Sequence, residues 1–150
     1  MIVGLDANII CYALDSAYTE HEQLANLLLN VSPENMIAVN STTLHETYHT
    51  LVFSQKWIPQ DAEKKLKALL SHPNIAFFNQ TKKHCILGLR LAALHNLGGR
   101  DAIIIANFLA NKVPTIYTHD DQMLKLKKIT WQDKHITVQD PLKETTKSQA

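Results

Sequence analysis

Residues 101–111 read Asp-Ala-Ile-Ile-Ile-Ala-Asn-Phe-Leu-Ala-Asn, a segment whose helical wheel is apolar on nearly every side. A helix with no face to offer water must lie centrally, with other layers packed around it. The stretches able to supply those layers are short. Ile2 to Leu5, Met36 to Val39, Ile75 to Phe78 and Thr115 to Tyr117 are compact apolar runs, and Ile136 to Val138 is a weaker fifth. Short apolar strands separated by helical segments predict an α/β domain built on a parallel sheet of four to five strands.

The helical segments carry their own punctuation. Asn8 to Leu14 reads as a short helix, and Thr19 to Val31 as a longer one opened by a Thr19/Glu22 capping box. Ser41 is placed to cap a helix running to about Ser54. Pro59 opens the next, with Asp61 and Glu63 early and lysines later, as the helix dipole favours. A helix from Thr81 to about Leu97 stops at Gly98-Gly99, and Asp120 to Lys128 is amphipathic. No repeat or linker interrupts the pattern, so residues 1–142 are expected to form one domain, with 143–150 a polar, frayed tail.

Composition narrows the function classes. A 45% hydrophobic content closes a real core, and a net charge of +1 gives no general attraction to nucleic acid or membrane, so such binding needs a local patch. Cys11 and Cys85 stand alone, outside any zinc or disulfide spacing, as in a reducing cytoplasm. No apolar run reaches the ~18 residues of a membrane span, and Asp6 follows the first strand without a basic leader, so a soluble cytoplasmic protein is expected.

Three acids stand at strand ends or helix starts. Asp6 follows the first strand, Asp120 the fourth, and Asp101 opens the central helix; singly, each reads as a helix cap. Together they fall at the carboxyl edge of a parallel sheet, where such folds place their ligands. Carboxylates crowded there repel one another unless a cation lies between them, and oxygen ligands suit Mg²⁺ or Mn²⁺. That donor set points to phosphodiester chemistry. Glu46 is a fourth candidate. Leu44, Tyr48, Leu51 and Val52 share one face of its helix and Glu46 lies nearly opposite, so the wheel alone turns it toward solvent.

The chain resembles the PIN-domain ribonucleases, of the kind found as the VapC toxin of VapBC toxin–antitoxin pairs. The resemblance rests on Ile-Val-Gly-Leu-Asp-Ala-Asn at 2–8, Ser41 to Glu46, Arg-Asp-Ala-Ile-Ile-Ile-Ala at 100–106 and Ile-Tyr-Thr-His-Asp-Asp-Gln-Met at 116–123, in the family's order. It implies a three-layer α/β/α fold and a metal site formed by Asp6, Glu46, Asp101 and Asp120. Asn8, Ser41 and Thr118 match supporting polar positions, and Asp121 beside Asp120 leaves open which carboxylate faces the metal. Mg²⁺ or Mn²⁺, hydrolysis of single-stranded RNA, a homodimer and a small antitoxin partner are further implications. Met123 replaces a frequent aromatic and suits a core gap equally well.

Other features compete. His45-Glu46-Thr47-Tyr48-His49 is formally the HExxH of zinc proteases, but Val52 and Gln55 stand where an extended motif needs Gly and His. A PIN-like module that binds RNA or protein without cutting is the other alternative. Lysines at 64, 65, 67, 82, 83, 125, 127 and 128 read as solvated faces, some able to rim an RNA backbone. Arg100 is the best single candidate for a phosphate contact, while Trp57 and Trp131 fit packing better than base stacking.

Overall fold

The computed structural model describes residues 1–143, so all of the expected tail except Lys143 lies outside the described residues. Six strands form one sheet: β1 (Ile2–Leu5), β2 (Met36–Asn40), β3 (Ile75–Phe78), β4 (Thr115–Tyr117), β5 (Lys128–Trp131) and β6 (Lys134–Gln139). Their order is β3-β2-β1-β4-β6-β5. Every pairing is parallel except β5 with β6. The chain builds outward from β1 to β3 on one side, then returns to β4 on the other. The switch point therefore lies between β1 and β4, the position at which an open sheet leaves a crevice beyond its strand ends.

Alternate residues of the strands feed two apolar layers. Val3, Leu5, Ile37, Val39 and Ile75 pack with α1 (Ala7–Leu14), α2 (His21–Leu29) and α4 (Pro59–Ser71) through Ile9, Ile10, Leu24, Leu66 and Leu69. Ala38, Ile116 and Val138 face the other way, onto α5 (Lys82–His95) and α6 (Gly99–Ala110). This is the expected three-layer arrangement. Ile104, Ile105, Phe108 and Leu109 of α6 are fully buried, as an all-round apolar helix requires. Trp57 and Trp131 pack at the margins of apolar clusters, and Met123 is fully buried.

Several boundaries differ from expectation. The sheet has six strands rather than four or five, because the segment expected to end as helix at Lys128 is helical only over α7 (Asp121–Leu124). Lys127 then adopts a left-handed conformation with φ 60°, which ends the helix and releases β5 as an antiparallel edge strand. The Thr19/Glu22 capping box does not form: α2 begins at His21, and the Thr19 hydroxyl donates to Glu20 instead. Asn40, not Ser41, caps α3 (Ser41–His49), with its Oδ1 accepting from the amides of Thr42 and Thr43 at 3.1 Å. After His49 the chain continues as a π-helical turn, Thr50–Ser54. The stop after α5 comes from Asn96 in the left-handed region, whereas Gly98 is the N-cap of α6. Among the described residues no helix is long and apolar enough to cross a membrane.

Candidate active site

Beyond the carboxyl ends of β1 and β4 opens a cleft of about 670 Å³. Asp6, Glu46, Asp101 and Asp120 all line it, with Asn8 and Arg100. Four separate segments deliver these carboxylates: the β1–α1 junction, the middle of α3, the first turn of α6 and the β4–α7 junction.

Asp6 is buried and caps α1, its Oδ1 accepting from the Ala7 amide at 2.9 Å and its Oδ2 from the Thr118 hydroxyl at 2.7 Å. Its own amide donates to the Tyr117 carbonyl, which ties the end of β1 to the end of β4. Thr118, fully buried, also accepts the Asp120 amide at 3.1 Å, so one hydroxyl spaces two acids. Asp120 caps α7 through its Oδ2 to the Met123 amide. For Asp6 and Asp120 the capping and site readings hold together. Asp101 is different: α6 begins at Gly99, and Asp101 lies in its first turn with no capping bond. Asn8 Oδ1 accepts the His119 amide at 3.4 Å, joining α1 to the β4–α7 turn.

Electrostatics follow from burial first and from crowding second. Burial pushes the Asp6 carboxyl above its ordinary range, and the charges of Asp101 and Asp120 push it further, against the lowering effect of its hydrogen bonds. Burial likewise raises Glu46, opposed by Arg100 and reinforced by Asp6 and Asp101. Asp101 is raised by burial and by Asp120, with Arg100 opposing. Three acids are thus held in surroundings that disfavour their own charge, the condition a bound cation relieves.

Glu46 is half-buried in this cleft rather than solvated as its wheel suggested, and Arg100 Nε lies 2.6 Å from its Oε1. That guanidinium compensates the carboxylate's charge and opposes the upward push of burial on it. Of the neighbouring pair, Asp120 lines the cleft, whereas Asp121 is exposed and outside its lining. Ser41 also stays outside, its hydroxyl accepting from the Gln80 amide at 2.8 Å to anchor the segment after β3. Of the lysines and arginines among the described residues, Arg100 alone lines the cleft, so the expected lysine rim is not at this site. His45 and His49 part company: His45 bonds back to the Ser41 carbonyl and lines a groove with Leu44 and Pro59, while His49 stacks on Phe53 and lines the acid cleft. They do not face one site as a zinc protease requires. Tyr12 and Tyr18 also line the cleft, and the sequence singled out neither.

The donor set fits a hard divalent cation in kind: all oxygen and mutually repelling. Among the described residues the acids do not close into a finished ligand cluster. Mg²⁺ does not demand one, since it keeps much of its water and takes few carboxylates beside a phosphate.

An acid-lined cleft at the switch point of a mostly parallel sheet stands where open α/β domains place their ligands. The PIN-domain family model matches residues 3–129, and the chain belongs to that family. No curated protein matches it in sequence. Among solved structures it is similar to Mycobacterium tuberculosis VapC20, a sarcin-ricin-loop-cleaving toxin: TM-score 0.67, 14% identity, 79% of this chain and 90% of that one. VapBC2 from Rickettsia felis, bound to a promoter DNA fragment, gives TM-score 0.59 at 23% identity over 84% and 92%. VapBC-1 from nontypeable Haemophilus influenzae gives 0.63 at 15% identity over 95% and 99%. At these identities the likeness is one of fold.

Proposed function

We propose that this chain is a metal-dependent endoribonuclease that hydrolyses phosphodiester bonds in RNA, and that it is the toxin of a toxin–antitoxin pair. The observation that carries the reading is the convergence of Asp6, Glu46, Asp101 and Asp120 on one switch-point cleft in a PIN-family chain. Fold-neighbours that include a sarcin-ricin-loop-cleaving toxin and VapBC structures support the toxin assignment and an antitoxin partner, in a cytoplasmic setting. Residues 1–142 act as the single catalytic domain, working as a homodimer.

The four acids would hold Mg²⁺ or Mn²⁺, which supplies Lewis acidity to the scissile phosphate and its leaving oxygen. The protein's own groups do the rest. Thr118 fixes the Asp6 carboxylate through the 2.7 Å bond and holds the Asp120 backbone through the 3.1 Å one. Asn8 braces the turn that carries Asp120. Arg100, whose side chain is 75% exposed, is free to exchange Glu46 for a phosphate oxygen.

The test is cleavage of single-stranded and structured RNAs in Mg²⁺, in Mn²⁺ and in EDTA, with Asp6→Asn as control. Cuts that need metal and vanish in a folded Asp6→Asn protein are expected. Folded wild type, free of inhibitor, that binds RNA yet cuts none would replace the nuclease with a binding module.

A further inference from the structure

Tyr12, Tyr18 and His119 form an aromatic cluster whose two tyrosines line the acid cleft, with His119 packed beside Tyr12. The Tyr12 and Tyr18 ring centroids lie 4.9 Å apart at 76°, and those of Tyr12 and His119 lie 6.0 Å apart at 72°. Both tyrosines line the cleft itself. Tyr12 follows Asn8 by one turn of α1, so the pair shares the face turned to the acids. Tyr18 lies in the turn after that helix, its amide donating to the Asp15 carbonyl. His119 stands between Thr118 and Asp120.

The cluster is held rigidly but is not sealed. His119 Nδ1 donates to Oδ2 of the buried Asp140 at 2.8 Å, and the His119 amide donates to Asn8. The imidazole is nonetheless 42% exposed, and both tyrosines are only half-buried. Tyr12 packs against the cluster of Ile9, Ile10 and Leu24, and Tyr18 against Cys11 and Leu51. Each ring therefore has one side fixed by the core while the residue also lines the cleft.

Charge supplies the second line of argument. Four carboxylates and one arginine line the cleft, so a phosphate chain entering it gains little from side-chain charge. A neutral base suffers no repulsion from the acids, and aromatic faces bind it whatever its identity. We infer that Tyr12, Tyr18 and His119 form a subsite for an unpaired nucleobase flanking the phosphodiester to be cut. The inference rests on the nuclease reading above. It deepens that reading by giving the cleft a base-binding wall beside its metal-binding acids.

The experiment compares an RNA strand with the same strand lacking one base next to the cleavage position mapped for wild type. Binding is read by fluorescence anisotropy on the Asp101→Asn protein, so that neither strand is consumed. Removing the base is expected to weaken binding roughly fivefold to a hundredfold, the range of one base–aromatic stack. In the same background Tyr12→Leu and Tyr18→Leu should weaken the intact strand by a comparable factor and leave the abasic strand unchanged. Tyr18→Leu, in a turn, keeps the test valid where the helical substitution disturbs folding. Equal binding of both strands, or equal weakening of both by each variant, overturns the subsite while wild-type cleavage still stands. Wild type that neither binds nor cuts RNA overturns the nuclease reading and the subsite with it.

Discussion

The Thr118 hydroxyl donates 2.7 Å to Asp6 Oδ2 across 112 residues of sequence, joining the ends of β1 and β4 at the point where the sheet changes direction. Both residues are buried, and the same hydroxyl accepts the Asp120 amide. Thr118→Val keeps the shape and removes both bonds. It leaves a buried carboxylate oxygen unpaired, at a cost of about 1–3 kcal/mol in urea unfolding. Cleavage should fall about 10–100-fold, as when a group orienting a metal ligand is lost. Thr118→Ser, which retains the hydroxyl, should recover most of both. Full activity in the valine variant would show that Asp6 needs no orienting partner.

Buried, mutually repelling acids make the metal-free protein sensitive to pH. Asp6 and Asp101 are raised from 3.8 and Glu46 from 4.5, so the folded protein holds these protons more tightly than the unfolded chain. Their contribution to stability is fully present below about pH 3.8–4.5 and is lost as pH rises through the raised folded values. In EDTA, the site's contribution should therefore decline from about pH 4 toward neutrality, and millimolar Mg²⁺ should restore it at pH 7. Asp101→Asn removes one repelling charge without disturbing a cap, so it should raise the urea midpoint in EDTA at pH 7 and not at pH 4. A lower midpoint at pH 7 would mean that repulsion is not what strains the site.

Much of this architecture is legible in the sequence because the decisive signals are local. The apolar runs at 2–5, 75–78 and 115–117 become strands with those bounds, and the greasy segment at 101–111 becomes the buried α6. What escaped depends on tertiary context. Lys128–Trp131 looks like the end of an amphipathic helix until the left-handed Lys127 turns it into an edge strand against β6. Glu46 misleads because a helical wheel assumes one buried face. Here Leu44 and Tyr48 meet one apolar cluster while Glu46 meets the mouth of α6. The wheel also counts Leu51 and Val52 as α-helical, yet they belong to the π turn, whose extra residue shifts their phase. Tyr12 and Tyr18 carry no spacing signal: only the fold brings them beside the acids.

Gly4, two residues before Asp6, is where β1 meets α6. A Cβ there would lie 2.8 Å from both Cδ2 and Cε2 of the fully buried Phe108 ring. The contact is too short for a real Cβ and the ring is fully buried, so Gly4→Ala should cost about 1–3 kcal/mol, read as a lowered urea midpoint. Because β1 carries Asp6 at its end, cleavage should fall too. Phe108→Leu added to Gly4→Ala should relieve the clash and recover part of the midpoint, giving a favourable coupling between the two sites. Independent, additive losses would show that the strand relaxes without pushing on the ring.

Arg100 separates binding from stability. Its guanidinium pairs with Glu46, but its side chain is 75% exposed, so the pair contributes at most about 1 kcal/mol to folding. Arg100→Ala should leave the urea midpoint nearly unchanged and weaken RNA binding at low salt. If the guanidinium engages one phosphate, the slope of log affinity against log salt should become shallower by about 0.7, the single-strand value per phosphate neutralised. Arg100→Lys should keep most of that slope while losing the planar fork, and with it part of the affinity. An unchanged slope in the alanine variant would instead assign Arg100 to holding Glu46 in the cleft, and the affinity loss would then appear equally at high and low salt.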